Sequence, residues 1–116
     1  MDVESSKRGR VVLVRPLGRW LDQPGASDLA RSVEGEVGRG ERYIVIDLSE
    51  VAYVDSSGLG ALVRLLKLVP QGGKLVLCRC RPPLQQLLEK ARLDRVLITY
   101  PTETAAIASL AGPTGG

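Results

Sequence analysis

Short continuous apolar runs alternate along this chain with longer stretches whose apolar residues return every three or four positions. The first run, Val11-Val12-Leu13-Val14, reads as a strand. A short edge strand is expected before it over residues 2–6, turned at Lys7-Arg8-Gly9. Pro16, Gly18, Pro24 and Gly25 mark an irregular connection. Ser27 is the expected cap of a first helix with Leu29, Ala30, Val33 and Val37 as its buried stripe, closed by Gly38 to Gly40. Tyr43 to Leu48 is the next strand. Its centre, Ile44-Val45-Ile46, is apolar without alternation, as in a strand covered on both faces.

A second helix is expected from near Ser57, with Leu59, Leu62, Val63 and Leu66 at i, i+3, i+4, i+7 spacing and Arg64 and Lys67 on its outer side. Pro70 and Gly72-Gly73 stop it. Lys74 to Arg79 reads as a strand. Pro82-Pro83 opens a third helix with the stripe Leu84, Leu87, Leu88 and Ala91. Val96-Leu97-Ile98 is the last expected strand. Thr102 is placed to cap a final helix carrying Ala105, Ile107, Ala108 and Leu110, and Gly112 to Gly116 reads as a disordered tail. Strand and helix alternating in this order predict an α/β fold: one domain over 1–116 with its core at about 11–110, a largely parallel sheet of four or five strands, and about four helices.

Composition narrows the chemistry. The formal charge of +3 is spread out, with Lys7, Arg8 and Arg10 the nearest approach to a basic cluster, so no direct nucleic-acid contact is expected. No apolar run approaches the ~18 residues of a membrane span, and the expected location is the cytoplasm. Cys78 and Cys80 stand two apart on an expected strand, which puts both on one face as small packing residues. The chain has no histidine, so a zinc site lacks ligands, and neither metal nor cofactor is expected.

The chemistry concentrates where the Tyr43–Leu48 strand leads into Asp55-Ser56-Ser57-Gly58 and a Leu-rich helix. Unpaired N–H groups and the positive end of the helix dipole meet there. A serine at that point either caps the helix or carries a phosphate that the same N–H groups stabilise. Hydrolysis is disfavoured. An esterase elbow needs Gly two residues before its serine, where Val54 and Asp55 stand, and no histidine can serve as base. A receiver domain phosphorylated at Asp47 lacks the acidic pair after the first strand. A Gly-x-x-x-x-Gly-Lys nucleotide loop is absent.

Ile46-Asp47-Leu48-Ser49, then Val54-Asp55-Ser56-Ser57-Gly58-Leu59-Gly60, then Gly72-Gly73-Lys74-Leu75-Val76-Leu77 resemble the STAS domain family, and within it the bacterial anti-sigma factor antagonists. The helix over Pro83 to Leu93 and its exit Leu93-Asp94-Arg95-Val96-Leu97 also fit, so the resemblance spans roughly 11–110. It implies a non-enzymatic domain with a mixed sheet. It also implies partner switching: the unphosphorylated domain binds an anti-sigma factor that is itself a serine kinase of the GHKL type, and a serine phosphatase reverses the kinase's action. Carried onto this chain, the phosphoacceptor is Ser56, with Ser57 as a cap or space filler. Asp22, Asp55, Ser57, Gly58, Arg64 and Lys67 form the expected partner surface, with Gly58 and Gly60 leaving the approach to Ser56 open. The oligomeric state expected is monomer or weak dimer. The alternative is a STAS scaffold or adaptor whose serine is never modified, as in a stress-signalling complex or a lipid transporter.

One region departs from the family pattern. Relatives carry Gly-x-Leu-Asp after the second strand, whereas Gly18-Arg19-Trp20-Leu21-Asp22 is one residue longer, and Asp22 is the expected counterpart of that aspartate. Trp20 reads either as an exposed interface anchor or as a packing residue. Asp47 reads either as a polar residue facing a loop or as a like charge beside the switch.

Overall fold

A computed structural model describes residues 1–111 of the chain; the expected tail at 112–116 lies outside the described residues. The elements are β1 (Val3–Arg8), β2 (Val11–Pro16), β3 (Trp20–Leu21), α1 (Gln23–Gly38), β4 (Tyr43–Asp47), β5 (Tyr53–Val54), α2 (Ser56–Leu65), β6 (Lys74–Cys78), α3 (Pro82–Lys90), β7 (Thr99–Tyr100) and α4 (Glu103–Ala111). The main sheet has the order β1-β2-β4-β6-β7. Only β1 runs antiparallel within it, returning into β2 through Gly9, whose φ of 62° a glycine adopts without strain. The sheet is therefore mixed, with a parallel centre.

The apolar runs at β2, β4 and β6 do not alternate because both faces of the sheet are covered. One face carries Val12, Val14, Ile44, Ile46, Leu75 and Leu77 against Leu29 and Val33 of α1, Leu62 and Leu65 of α2, and Leu84 and Leu88 of α3. The other carries Val11, Leu13, Val45, Val76 and Cys78 against Ala106 and Leu110 of α4. Thr102 caps α4 as expected, its Oγ1 accepting from the Ala105 N–H at 3.0 Å.

Several local expectations are corrected. Helix α1 begins four residues before Ser27. Asp22 is its cap, and Pro24 and Gly25 lie inside the first turn, where a missing N–H costs nothing. The last strand falls at Thr99–Tyr100 rather than Val96–Ile98. Leu97 instead reaches the core from a turn, and Val96 is exposed. The fully buried line of α2 is Gly58, Ala61, Leu62 and Leu65, while Leu59, Val63 and Leu66 flank it half-buried. The cysteines lie on opposite faces of the sheet: Cys78 ends β6 in the α4 cluster, and Cys80 packs against the other cluster. The chain passes between them through Arg79 in the left-handed region, φ 52°. Burial pushes both thiols up to about 12.

Asp47 is fully buried. Alternation along β4 turns it to the α4 face with Val45, away from α1 and α2. Arg79 donates to both of its oxygens and also to Glu103 Oε2 at 3.0 Å, and the Ser49 N–H reaches Asp47 Oδ1 at 3.0 Å. Burial pushes the Asp47 carboxyl up, but the hydrogen bonds, foremost from Arg79, outweigh it and hold the group at about 2. Glu103 shares the Arg79 guanidinium with Asp47, and the neighbouring Asp47 carboxylate raises it. Asp47 therefore clamps the ends of β4 and β6 to the start of α4. It is neither loop-facing nor a charge beside Ser56.

Candidate functional site

The site is assembled by a second, two-stranded parallel sheet of β3 and β5, with Trp20 opposite Tyr53 and Leu21 opposite Val54. The residue after each short strand is an aspartate that caps the helix that follows. Asp22 Oδ1 accepts from Gly25 N at 3.0 Å and Asp55 Oδ1 from Gly58 N at 2.8 Å. Neighbouring strands lie ~4.8 Å apart, so the N-termini of α1 and α2 start side by side. In the Gly18–Asp22 segment Leu21 is in the core and Asp22 caps α1.

With Asp55 as the cap, Ser56 and Ser57 occupy the first two helical positions, and Ser57 is not the cap. Both are exposed. The backbone N–H groups at those two positions have no partner within the helix. The helix dipole adds partial positive charge at the same point. The Ser56 hydroxyl is accessible at a point suited to an anion.

Gly58 is buried and does not open the approach to Ser56. A Cβ there would overlap the Leu21 carbonyl and stand 3.1 Å from Val54 Cγ1. The glycine lets α2 meet the β3–β5 ribbon. Gly60 differs, because a Cβ there would meet only Arg64 Nη1, at 3.4 Å. Helix propensity alone favours Ala over Gly by up to ~1 kcal/mol. Gly60→Ala is expected to gain about that amount in urea unfolding, whereas Gly58→Ala should lose ~1–3 kcal/mol to overpacking. Equal shifts in the two unfolding midpoints would sink this account of Gly58.

Ser56, Gly60 and Arg64 follow at i, i+4, i+8 and form one outward stripe of α2, opposite the buried line. The Arg64 guanidinium lies back over Gly60, in the direction of Ser56. Lys67 is exposed just beyond the C-cap Leu66. The structure thus brings Asp22, Asp55, Ser56, Ser57 and Arg64 to one surface, puts Lys67 at its far edge, and places Gly58 beneath it.

Tyr53 was not legible as part of this surface. Its ring stacks on Trp20, with centroids 4.4 Å apart and planes at 25°. Trp20 is 61% exposed and Tyr53 49%. The available signal was composition: the chain has one Trp, three Tyr and no Phe, and one of each stands in a polar connection.

The STAS domain family model matches residues 2–106. The Anti-sigma F factor antagonist of Paenibacillus polymyxa is 29% identical over 95% of both chains. A Thermotoga maritima crystal structure, provisionally named an anti-sigma factor antagonist, superimposes with a TM-score of 0.85 at 26% identity, covering 94% of each chain. The Bacillus anti-sigma factor antagonist SpoIIAA shares the fold. In its unphosphorylated form the TM-score is 0.72 at 18% identity, over 97% of this chain and 100% of that one. In its phosphorylated form it is 0.69 at 19%, over 93% and 98%. Among the described residues no helix is long and apolar enough to cross a membrane. With the mixed sheet, the side-by-side capped helices and these relatives together, the chain belongs to the STAS domain family, and its named relatives are anti-sigma factor antagonists.

Proposed function

We propose that this domain is an anti-sigma factor antagonist that acts by partner switching, with Ser56 as the switch. Unphosphorylated, it binds an anti-sigma factor that is a serine kinase of the GHKL type and so frees the sigma factor. The kinase phosphorylates Ser56 and is released, and a serine phosphatase restores the binding form. Asp22, Ser57, Arg64 and Lys67 form the surface around the acceptor, and Asp55 and Gly58 hold the helix start in place.

The observation that carries this reading is the division of labour at the start of α2. Asp55 does the capping, so the Ser56 hydroxyl is exposed and not consumed by the helix. SpoIIAA, which shares the fold, is described in both unphosphorylated and phosphorylated forms, which supports a phosphorylation switch on this fold.

The test is intact mass after incubation with the purified anti-sigma factor kinase and Mg-ATP. One added phosphate is expected in wild type and in Ser57→Ala, and none in Ser56→Ala. Stable binding without any added phosphate would overturn the switch and leave an unmodified adaptor. Phosphate retained in Ser56→Ala and lost in Ser57→Ala would move the acceptor by one residue.

A further inference from the structure

We infer that the free edge of β1 pairs with the β1 edge of a second copy of this chain, joining two five-stranded sheets into one across a two-fold axis. Pairing of this kind does not depend on the function proposed above. β1 is an outer strand of the main sheet, and its six residues pair with β2 in unbroken register, without bulge or proline. The Leu17 N–H donates to the Asp2 carbonyl at 2.9 Å, which continues the β1–β2 ladder by one residue. Hydrogen-bonded pairs alternate along an antiparallel ladder. Asp2, Glu4, Ser6 and Arg8 therefore bond inward to β2, and Val3, Ser5 and Lys7 turn their N–H and C=O groups out to the edge. Among the described residues no further strand pairs with that edge.

Sheet edges are ordinarily blunted by shortness, a bulge, a proline or charge. Only charge is present here, and it is disposed to attract a second copy rather than repel one. Lys7 lies with Val12 on the α1 face, and its ammonium is engaged by Glu41. Asp2, Glu4 and Arg8 lie on the other face, with Val11 and Leu13. There a groove of about 450 Å³, lined in part by Glu4, Ser6, Arg8 and Arg15, leaves room for side chains of a second copy. Asp2 and Arg8 are exposed, and neither makes an ion pair among the described residues. Arg8 Nη1 donates to the Ser6 hydroxyl at 3.2 Å.

Backbone and charge together fix the register. Outward-bonding residues pair only with outward-bonding residues, so the two-fold passes through a residue and its own copy. Centred on Glu4 or on Lys7, the pairing sets like charges directly opposite. Centred on Ser6, it puts Val3 opposite Gly9 in the turn, where its bonds are lost. Centred on Ser5, it pairs Val3 with Lys7, Ser5 with Ser5 and Lys7 with Val3, about six backbone hydrogen bonds in all. The same register sets Asp2 opposite Arg8 of the second copy, with Glu4 on the diagonal. Arg8, which has no carboxylate partner in its own chain, then lies between two from the other, and the two-fold repeats the contact. The edge is its own complement in bonding and in charge, which singles out a second copy as its occupant.

An edge of six residues buries less than the ~1,200 Å² of a standard interface, so the dimer is weak. Sedimentation equilibrium of the full chain, from about 10 µM to 1 mM, is expected to show monomer passing into dimer. Ser5→Pro removes both central donors but no bond to β2, and should weaken dimerisation about tenfold or more. Arg8→Glu should weaken it about tenfold at low salt, with the difference shrinking as salt is added, and Asp2→Arg in the same chain should restore part of the loss. Urea unfolding at low concentration checks that each variant is folded. Ser5→Cys should cross-link to its own copy under mild oxidation, because facing residues of a bonded pair lie ~5.5 Å apart, within disulfide reach. Ser6→Cys, ~7–8 Å from its copy on the diagonal, should not. Wild type treated alongside accounts for Cys78 and Cys80. A monomer throughout, a dimer that Ser5→Pro and Arg8→Glu leave unchanged, or cross-linking at Ser6→Cys in place of Ser5→Cys overturns the inference, and each leaves the partner-switching function standing.

Discussion

Phosphorylated at Ser56, the domain is expected to bind its anti-sigma factor about a hundredfold more weakly, with little change in its own stability. The two halves of that expectation come from different parts of the structure. Within the domain, the phosphate's ~1.5–2 negative charges meet the free N–H groups of the first two positions of α2 and the positive end of its dipole. Asp22 and Asp55 add like charge nearby, but Asp55 and Ser56 are exposed, so water and salt screen that repulsion in the free domain. Asp47 takes no part, since it is buried on the far face of the sheet and neutralised by Arg79. The fold therefore has no reason to open. At the interface the same phosphate must be desolvated next to two carboxylates. A cost of ~3 kcal/mol, modest for an unpaired buried charge, already gives a hundredfold loss. Calorimetric titration of the two forms against the anti-sigma factor measures the first half, and urea unfolding of both forms measures the second. Equal affinities would exclude electrostatic release. A large stability loss on phosphorylation would mean that the switch acts by unfolding the start of α2.

Arg79→Met is expected to cost about 3 kcal/mol of stability and to reverse its dependence on pH below neutrality. Asp47 is fully buried, and breaking a buried pair from one side leaves a charge without its counterion. The guanidinium is 39% exposed, so water partly replaces it, and the lower end of the usual ~3–5 kcal/mol range applies. Met keeps a Cβ at the same left-handed position, so the backbone strain cancels between the two proteins.

In the wild type the folded Asp47 titrates at about 2, below its unfolded value. Its contribution is present above pH ~3.9 and is lost as pH falls through the folded value. Glu103, raised by Asp47, works in the opposite sense: its contribution is present in acid and is lost as pH rises through its folded value, which softens the acid loss. Without Arg79, burial is left as the dominant influence on Asp47, and its carboxyl rises above the usual range. The variant then gains stability as pH falls towards that value. Urea unfolding at a series of pH values reads the slope directly. Combining Arg79→Met with Asp47→Leu should recover most of the loss, because an apolar pair replaces a buried ionic one at little cost. A wild-type pH slope in Arg79→Met would show that Asp47 is held down by the Ser49 N–H rather than by the guanidinium.

Much of the site was legible in the sequence because it is local. The run Asp55-Ser56-Ser57-Gly58 sits between a strand and a helix, and a helix start needs a cap and offers free N–H groups whatever lies around it. Even there the roles were redistributed. Asp55 caps in place of Ser57, and Gly58 is a close-packing residue rather than an open door, because the Leu21 carbonyl passes over it. That contact joins residues far apart in the chain, and no local pattern reports it.

By itself the sequence determined the alternation of strands and helices, the parallel centre of the sheet and the position of the candidate switch. Continuous apolar runs such as Ile44-Val45-Ile46 and the helical stripe of α1 are periodic signals that each segment carries alone. Tertiary structure decided what depends on pairing. The β3 and β5 strands have two residues each, too short for any period, and exist only because each finds the other. Their pairing places Asp22 beside Asp55 and stacks Trp20 on Tyr53. Which face Asp47 occupies, and that Cys78 and Cys80 part company, follow from where β4 and β6 end and from the turn at Arg79. A side chain's periodicity is written in its neighbours along the chain, but its partner is set by the sheet register and the helix that covers it.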